Sequence, residues 1–192
     1  MNLPALRTTT YAGGTYRRVK LCEVFISSGS DLASERQILR DLVDAFNKQA
    51  FDARVDYMFS IRAWEDAVSR RTYGDGNREF RYDASIANVV IVLLSRELRR
   101  GTEEELDAAL QTDNVQVAII LMDPPDESTE IESEKYLLAK LAKIRENVRW
   151  FETGAPGHVS VTIAMASILA RLLIDLSSQD DEASTADYKE VR

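Results

Sequence analysis

Asn88-Val89-Val90-Ile91-Val92-Leu93-Leu94, followed by Ser95-Arg96-Glu97-Leu98-Arg99-Arg100-Gly101-Thr102-Glu103-Glu104-Glu105-Leu106, is the stretch whose reading decides the fold. Val89 to Leu94 is a continuous apolar run without alternation. It predicts a strand covered on both faces, as in a parallel sheet. The polar residues that follow open a helix at Thr102. The stretch therefore stands at the carboxyl end of a central strand, where open α/β sheets bind ligands. It also has a purely structural reading, since Thr102 and Glu105 have the spacing of a helix capping box, and residue types alone favour that reading.

Working outward, Leu21 to Ser27 reads as the first strand, ending in the turn Ser27-Ser28-Gly29-Ser30. From Asp31 to Gln49, Leu32, Leu39, Leu42, Val43 and Phe46 share one helical face, with Ser30 or Asp31 available as N-cap. Phe51 to Phe59 alternates apolar and polar residues, the period of a half-exposed second strand. In the long connection from Ser60 to Arg81, Ile61, Trp64 and Val68 suit a short helix that Tyr73-Gly74-Asp75-Gly76-Asn77 breaks. Phe80 to Ala87 is the next helix. Beyond the central stretch come a helix to Leu110, a strand from Val115 to Leu121, a helix from Glu132 to Arg145, a short edge strand from Val148 to Phe151 and a helix from about Pro156 to Leu176. Strands and helices in alternation predict an α/β fold, a doubly wound and mostly parallel sheet of four or five strands flanked by helices. Residues 1–20 are expected to be a flexible arm, 21–176 the α/β domain and 177–192 a disordered acidic tail.

Composition narrows the function. With 192 residues, 45% of them hydrophobic, the chain can bury one core. A net charge of -8 argues against general nucleic-acid binding, although Arg17-Arg18-Lys20, Arg70-Arg71 and Arg99-Arg100 are local clusters that could meet a phosphate. Cys22 is the single cysteine, so no intrachain disulfide is possible and a reducing cytoplasm is the simplest setting. Met1 to Thr15 lacks the features of a signal peptide, and Val159 to Leu176 is interrupted by Arg171 and Asp175, which suits a buried helix better than a membrane span. His158 is the sole histidine, so neither a catalytic triad nor a metal site is expected.

Three segments carry a resemblance: Val24-Phe25-Ile26-Ser27-Ser28-Gly29-Ser30-Asp31-Leu32 with Glu35-Arg36, the run from Ile86 to Ser95, and Gly101-Thr102-Glu103-Glu104-Glu105 with Ala108-Ala109. Together they resemble the TIR-like domains of bacterial defence and signalling proteins. The likeness is greatest to the uncharacterised class often fused to STAND-type ATPases and more distant to nucleoside 2-deoxyribosyltransferases. Asn88 departs from the acidic residue such domains commonly carry before the strand. The resemblance implies a TIR-like or flavodoxin-like sheet and a cytoplasmic, nucleotide-binding hydrolase of antiviral defence. NAD would be its substrate rather than a bound cofactor. It further implies self-association, a possible operon-encoded sensor or ATPase as partner, and neither membrane nor direct nucleic-acid binding.

Such enzymes attack an N-glycosidic bond, which breaks through a cationic sugar that an ionised carboxylate can stabilise or attack. Glu105 is the direct carry-over from the Gly-Thr-x-x-Glu pattern, with Glu104 and Glu103 as competitors. Ser27, Ser28, Gly29, Ser30 and Asp31 would serve a ribose or phosphate at the start of the first helix. Trp64 would stack on a base, Arg62 or Arg96 would pair with a pyrophosphate, and Ser95 and Thr102 would complete the substrate site. Two alternatives stay open: a deoxyribosyltransferase-like hydrolase of nucleosides, and a non-catalytic module that senses nucleotides or oligomerises. Each residue also has a plain role, with Ser30 and Asp31 as helix caps, Glu35 and Arg36 as solvated or locally bridged charges, and Trp64 as an anchor.

Overall fold

A computed structural model describes residues 7–12, 16–53, 55–63, 76–154 and 158–190. Its strands are β1 (Arg7–Ala12), β2 (Tyr16–Ser28), β3 (Tyr57–Ala63), β4 (Val89–Leu94), β5 (Gln116–Met122) and β6 (Trp150–Gly154). The helices are α1 (Ala33–Asp52), α2 (Gly76–Ile86), α3 (Arg100–Leu110), α4 (Glu132–Ile144) and α5 (His158–Glu190), with 3-10 turns at Ser30–Leu32 and Arg145–Asn147. The parallel strands run in the order β3-β2-β4-β5-β6. Counted from β2, that is the flavodoxin-like order of a doubly wound α/β sheet, with its switch point between β2 and β4.

Every residue of β4 and β5 is buried, because both faces of these strands are roofed by helices. Alternate residues supply the two cores. Val24, Ile26, Val89, Ile91, Leu93 and Ile120 meet Leu39 and Val43 of α1 and Val161, Met165, Ile168 and Leu172 of α5. Phe25, Val90, Val92, Leu94, Ile119 and Leu121 meet Phe80 and Ala84 of α2, Leu106 and Ala109 of α3, and Leu137 and Leu141 of α4. Each such side chain contributes about 1.5–3 kcal/mol, so the apolar run of β4 anchors the sheet. Cys22 lies in the first core, where burial pushes its thiol up to about 12 and leaves it unreactive.

Several boundaries differ from those the sequence predicts. β2 begins at Tyr16 rather than Leu21, and β1 pairs antiparallel with it from Arg7↔Leu21 to Ala12↔Tyr16. The expected arm at residues 1–20 thus contains a strand, which satisfies the edge of β2 below the point where β4 begins to pair at Val24. The alternation from Phe51 to Phe59 misleads. Its first residues are the last turn of α1, where Ala50 is buried on the helix stripe, and the second parallel strand lies later, at Tyr57–Ala63. Asn47 joins the two, its amide exchanging hydrogen bonds with the Phe59 backbone at 2.7 and 2.9 Å. The edge strand sits at Trp150–Gly154, and α5 continues to Glu190, through most of the expected tail.

Within α5, Ser160–Ser178 is long and apolar enough to cross a membrane, with a mean hydropathy of 1.6. Its inner stripe is packed on the sheet, as in the core helix of a soluble protein. Trp64, Val68 and the Tyr73 to Asp75 loop lie outside the described residues.

Candidate functional site

The carboxyl ends of β2 and β4 bring two loops together at the switch point. The turn after β2 carries Ser28, Gly29, Ser30 and Asp31, and the segment after β4 carries Ser95 to Arg99. Between them lies a small cleft with a volume of about 10 Å³, lined by Gly29, Asp31, Leu32, Leu93, Leu94, Ser95, Glu97, Arg99 and Thr102.

Ser27, only 1% exposed, is the last residue of β2 to face the α2, α3 and α4 layer. Its hydroxyl donates to the Glu105 carboxylate, which descends from α3. Glu105 is partly buried, and burial pushes its carboxyl up to about 7. The hydrogen bond from Ser27 and the positive charge of Arg36 oppose that rise, while Glu104 adds to it. No ion pair to Glu105 forms among the described residues. Near neutral pH this carboxyl is therefore divided between its acid and its base form.

Arg36 is the residue sequence reasoning undervalued. Instead of being solvated it is 2% exposed, and its guanidinium donates to Ser28 Oγ at 2.6 Å and to the Gly29 carbonyl at 2.7 Å. The signal was present in the periodicity: Leu32, Arg36, Leu39 and Val43 follow the 3-4 spacing of the inward stripe. A buried arginine pinning the first turn also places positive charge beside Glu105.

The three consecutive glutamates separate by direction, as residues about 100° apart on a helix must. Glu103 turns to α4, accepting from the Tyr136 hydroxyl and from Lys140 at 3.1 Å, and the Tyr136 bond holds it below the usual carboxylate range. Glu104 turns to α2 and pairs with Arg81 at 2.9 Å and Arg100 at 2.8 Å. Only Glu105 of the three reaches Ser27. The capping box does not form. α3 begins at Arg100 with Arg99 as N-cap and no side-chain cap, so Thr102 and Glu105 stand inside the helix. Nor do Ser30 or Asp31 cap the first helix; they turn to Arg99.

The remaining predicted residues divide. Ser95 and Thr102 line the cleft. Arg96 does not: it pairs with Asp123 at 2.6 Å and with the buried Glu134 at 3.3 Å, fastening the loop after β4 to the loop after β5, where Asp123 adopts φ 51°. Arg62 is held by Glu23 at 3.1 Å and Asp83 at 3.2 Å. Trp64 lies outside the described residues. Arg99, the cleft arginine, appeared in the sequence only as half of a basic pair.

Among the described residues, no group of His, Cys, Asp and Glu side chains could hold a metal ion. No protein-family model matches the chain, and no curated protein does. A solved structure with some likeness is the metal-soaked Flv1 flavodiiron core from Synechocystis sp. PCC6803, with a TM-score of 0.40 and 8% identity. The match covers 85% of this chain but only 36% of that one.

Proposed function

We propose that this chain hydrolyses the bond between nicotinamide and ribose in NAD, as a TIR-like effector of bacterial defence or signalling, with Glu105 meeting the sugar. The observation that carries the proposal is the Ser27–Glu105 pair at the switch point, a carboxyl without an ion-pair partner at the edge where α/β sheets take ligands. Nicotinamide leaves a pyridinium as a neutral molecule and needs no proton from the enzyme. A single carboxylate therefore suffices to stabilise or trap the ribosyl cation. Water then adds at the anomeric carbon, Glu105 takes its proton, and the products are nicotinamide, ADP-ribose and a proton. The cationic nicotinamide ring would itself favour ionised Glu105 as substrate binds. Arg36 fixes the serine turn, and Ser27 orients the carboxylate.

Purified protein at high concentration, incubated with NAD, should release nicotinamide. Glu105→Gln should lower the rate by about 100-fold or more. No release from the concentrated, assembled wild-type chain, or full release from Glu105→Gln, would reject the reading. A second substrate class is a nucleoside, whose N-glycosidic bond breaks through the same kind of sugar cation. Loss of the base from a nucleoside in the same assay, with NAD untouched, would select it.

A further inference from the structure

β6 is the last strand of the sheet, and among the described residues no strand pairs with its outer side. Trp150, Glu152 and Gly154 turn their N–H and C=O groups to β5, as the bond from Asp123 N–H to the Gly154 carbonyl at 3.1 Å shows. Phe151 and Thr153 alternate with them and turn theirs outward, where no hydrogen bond reaches them among the described residues. Charges of both signs line the same edge. Arg149 pairs with Asp175 of α5 at 2.5 Å, Arg171 of α5 pairs with Glu152 at 3.1 Å, and the Arg149 guanidinium lies 5.2 Å from the centre of the Trp150 ring. Arg149, Trp150, Arg171 and Asp175, with Ile174 at 65% exposure, line a shallow groove of about 370 Å³. Two cations therefore balance two anions along this strip of a chain whose net charge is -8, so a second copy that is repelled by the molecule as a whole is not repelled here.

We propose that the edge of β6 is a self-association surface, on which a second copy of this chain adds its own β6 antiparallel about a two-fold axis at Phe151. An unpaired strand edge is a template for another strand, and a two-fold contact must be complementary to itself. With the axis at Phe151, that residue exchanges both backbone hydrogen bonds with its mate, and Thr153 N–H reaches the backbone of the second copy two residues further along. The two Phe151 rings form a cross-strand aromatic pair, and Glu152 of each copy stands opposite Trp150 of the other, beside Arg149. Charges then alternate across the contact, Arg171 and Glu152 of one copy leading to Arg149 and Asp175 of the other. An axis one residue later, at Glu152, would set two carboxylates directly opposite each other, which is destabilising. An unrelated extended peptide would find the backbone groups but not the matched charges. The contact uses no residue of the candidate site, which β5 separates from this edge, so it stands apart from the proposed reaction.

Sedimentation velocity of the full chain, at the high concentration used with NAD, tests this on wild type, Thr153→Pro, Glu152→Lys and Glu132→Lys, with thermal midpoints confirming that each variant folds. Wild type should sediment as a dimer. Thr153→Pro removes one outward N–H from each copy and leaves the β5 ladder intact, because an open strand edge tolerates proline. Glu152→Lys sets a cation beside Arg149 of the second copy. Each of these two should weaken the dimer by about tenfold or more. Glu132→Lys makes the same change of charge on α4, at a side chain 88% open to solvent, and should shift the dimer constant by no more than about twofold. A wild type that stays monomeric, or a dimer that keeps its strength in Thr153→Pro or in Glu152→Lys, would overturn the proposal. Equal loss of the dimer in Glu132→Lys would overturn it as well, since net charge and not this edge would then govern assembly.

Discussion

β2 presents Glu23 and Ser27 to the same helical layer four residues apart, and their surroundings differ in kind. Glu23 is 5% exposed, and its carboxylate meets Arg62, which Asp83 holds from α2. Its backbone is matched as well, since Asn88 Oδ1 accepts the Glu23 N–H at 2.7 Å and the Asn88 N–H donates to the Glu23 carbonyl at 2.9 Å. Around Ser27 the carboxyl comes from another element, Glu105, and the nearby positive charge, Arg36, is committed to the turn at Ser28 and Gly29. One cluster sets charge directly against charge. The other leaves a carboxyl with a neutral partner, and burial moves its pKa to about 7. Burial of polar groups is common to both, so burial alone does not mark a site. The second cluster differs in its incomplete charge pairing at the carboxyl edge of the sheet.

The largest expected effect breaks the comparison at Glu105. Glu105→Gln keeps the shape and the Ser27 contact but removes the charge, so nicotinamide release should fall by about 100-fold or more. In the wild type, kcat/KM should rise with pH through about 7, because the ionised form does the work. A flat profile between pH 5 and 9 would show that Glu105 does not titrate in the reaction.

At the other cluster the effect should be on folding. Arg62→Ala leaves Glu23 without its arginine. Arg62 is itself 31% exposed, so the cost is expected at about 2 kcal/mol, less than for a fully buried pair. Urea denaturation measures it, and KM for NAD should not change. A loss of activity without a loss of stability would assign Arg62 to the ligand, as its sequence position alone suggested.

Stability also separates the two clusters by pH. The Glu105 carboxyl sits near 7 in the folded chain against an ordinary value of 4.5, so its neutral form is the one the fold favours. That preference is fully present below about 4.5 and is lost as pH rises through about 7. Glu105→Gln should therefore be more stable than wild type by about 1–2 kcal/mol at pH 8, with the gain vanishing toward pH 4.5. Equal stability at pH 8 would mean that Glu105 ionises without cost in the folded chain.

How much of this was legible follows from what each pattern encodes. The run from Val89 to Leu94 predicts a doubly covered strand, because both faces of β4 are roofed. The serine turn and the start of α3 predict loops that meet at one sheet edge, and the strand order brings them there. Strand boundaries were less legible. The Phe51 to Phe59 alternation mixes a helix end with a strand start, and β1 carries a threonine run whose pairing depends on a partner strand. At the site, local spacing suggested a cap that would hold Thr102 and Glu105 to the backbone. Tertiary contact with Ser27 takes Glu105 instead, and the helix starts two residues earlier. Arg99 was hidden for the same reason, since its partners Ser30 and Asp31 lie far away in the chain.

The smallest effect tests whether proximity in sequence matters at this helix start. Glu104 adjoins Glu105, but its carboxylate is directed to Arg81 and to the highly exposed Arg100. Its pull on the site is indirect, through the repulsion that helps raise the Glu105 carboxyl. Glu104→Gln removes that repulsion, so the pH midpoint of NAD hydrolysis should move down while the plateau rate stays within about threefold of wild type. Stability should change by no more than about 1 kcal/mol, because the ion pairs that Glu104 makes are partly open to solvent. A fall in rate as large as that of Glu105→Gln would exchange the two residues' roles and would require α3 to turn by one position when substrate binds.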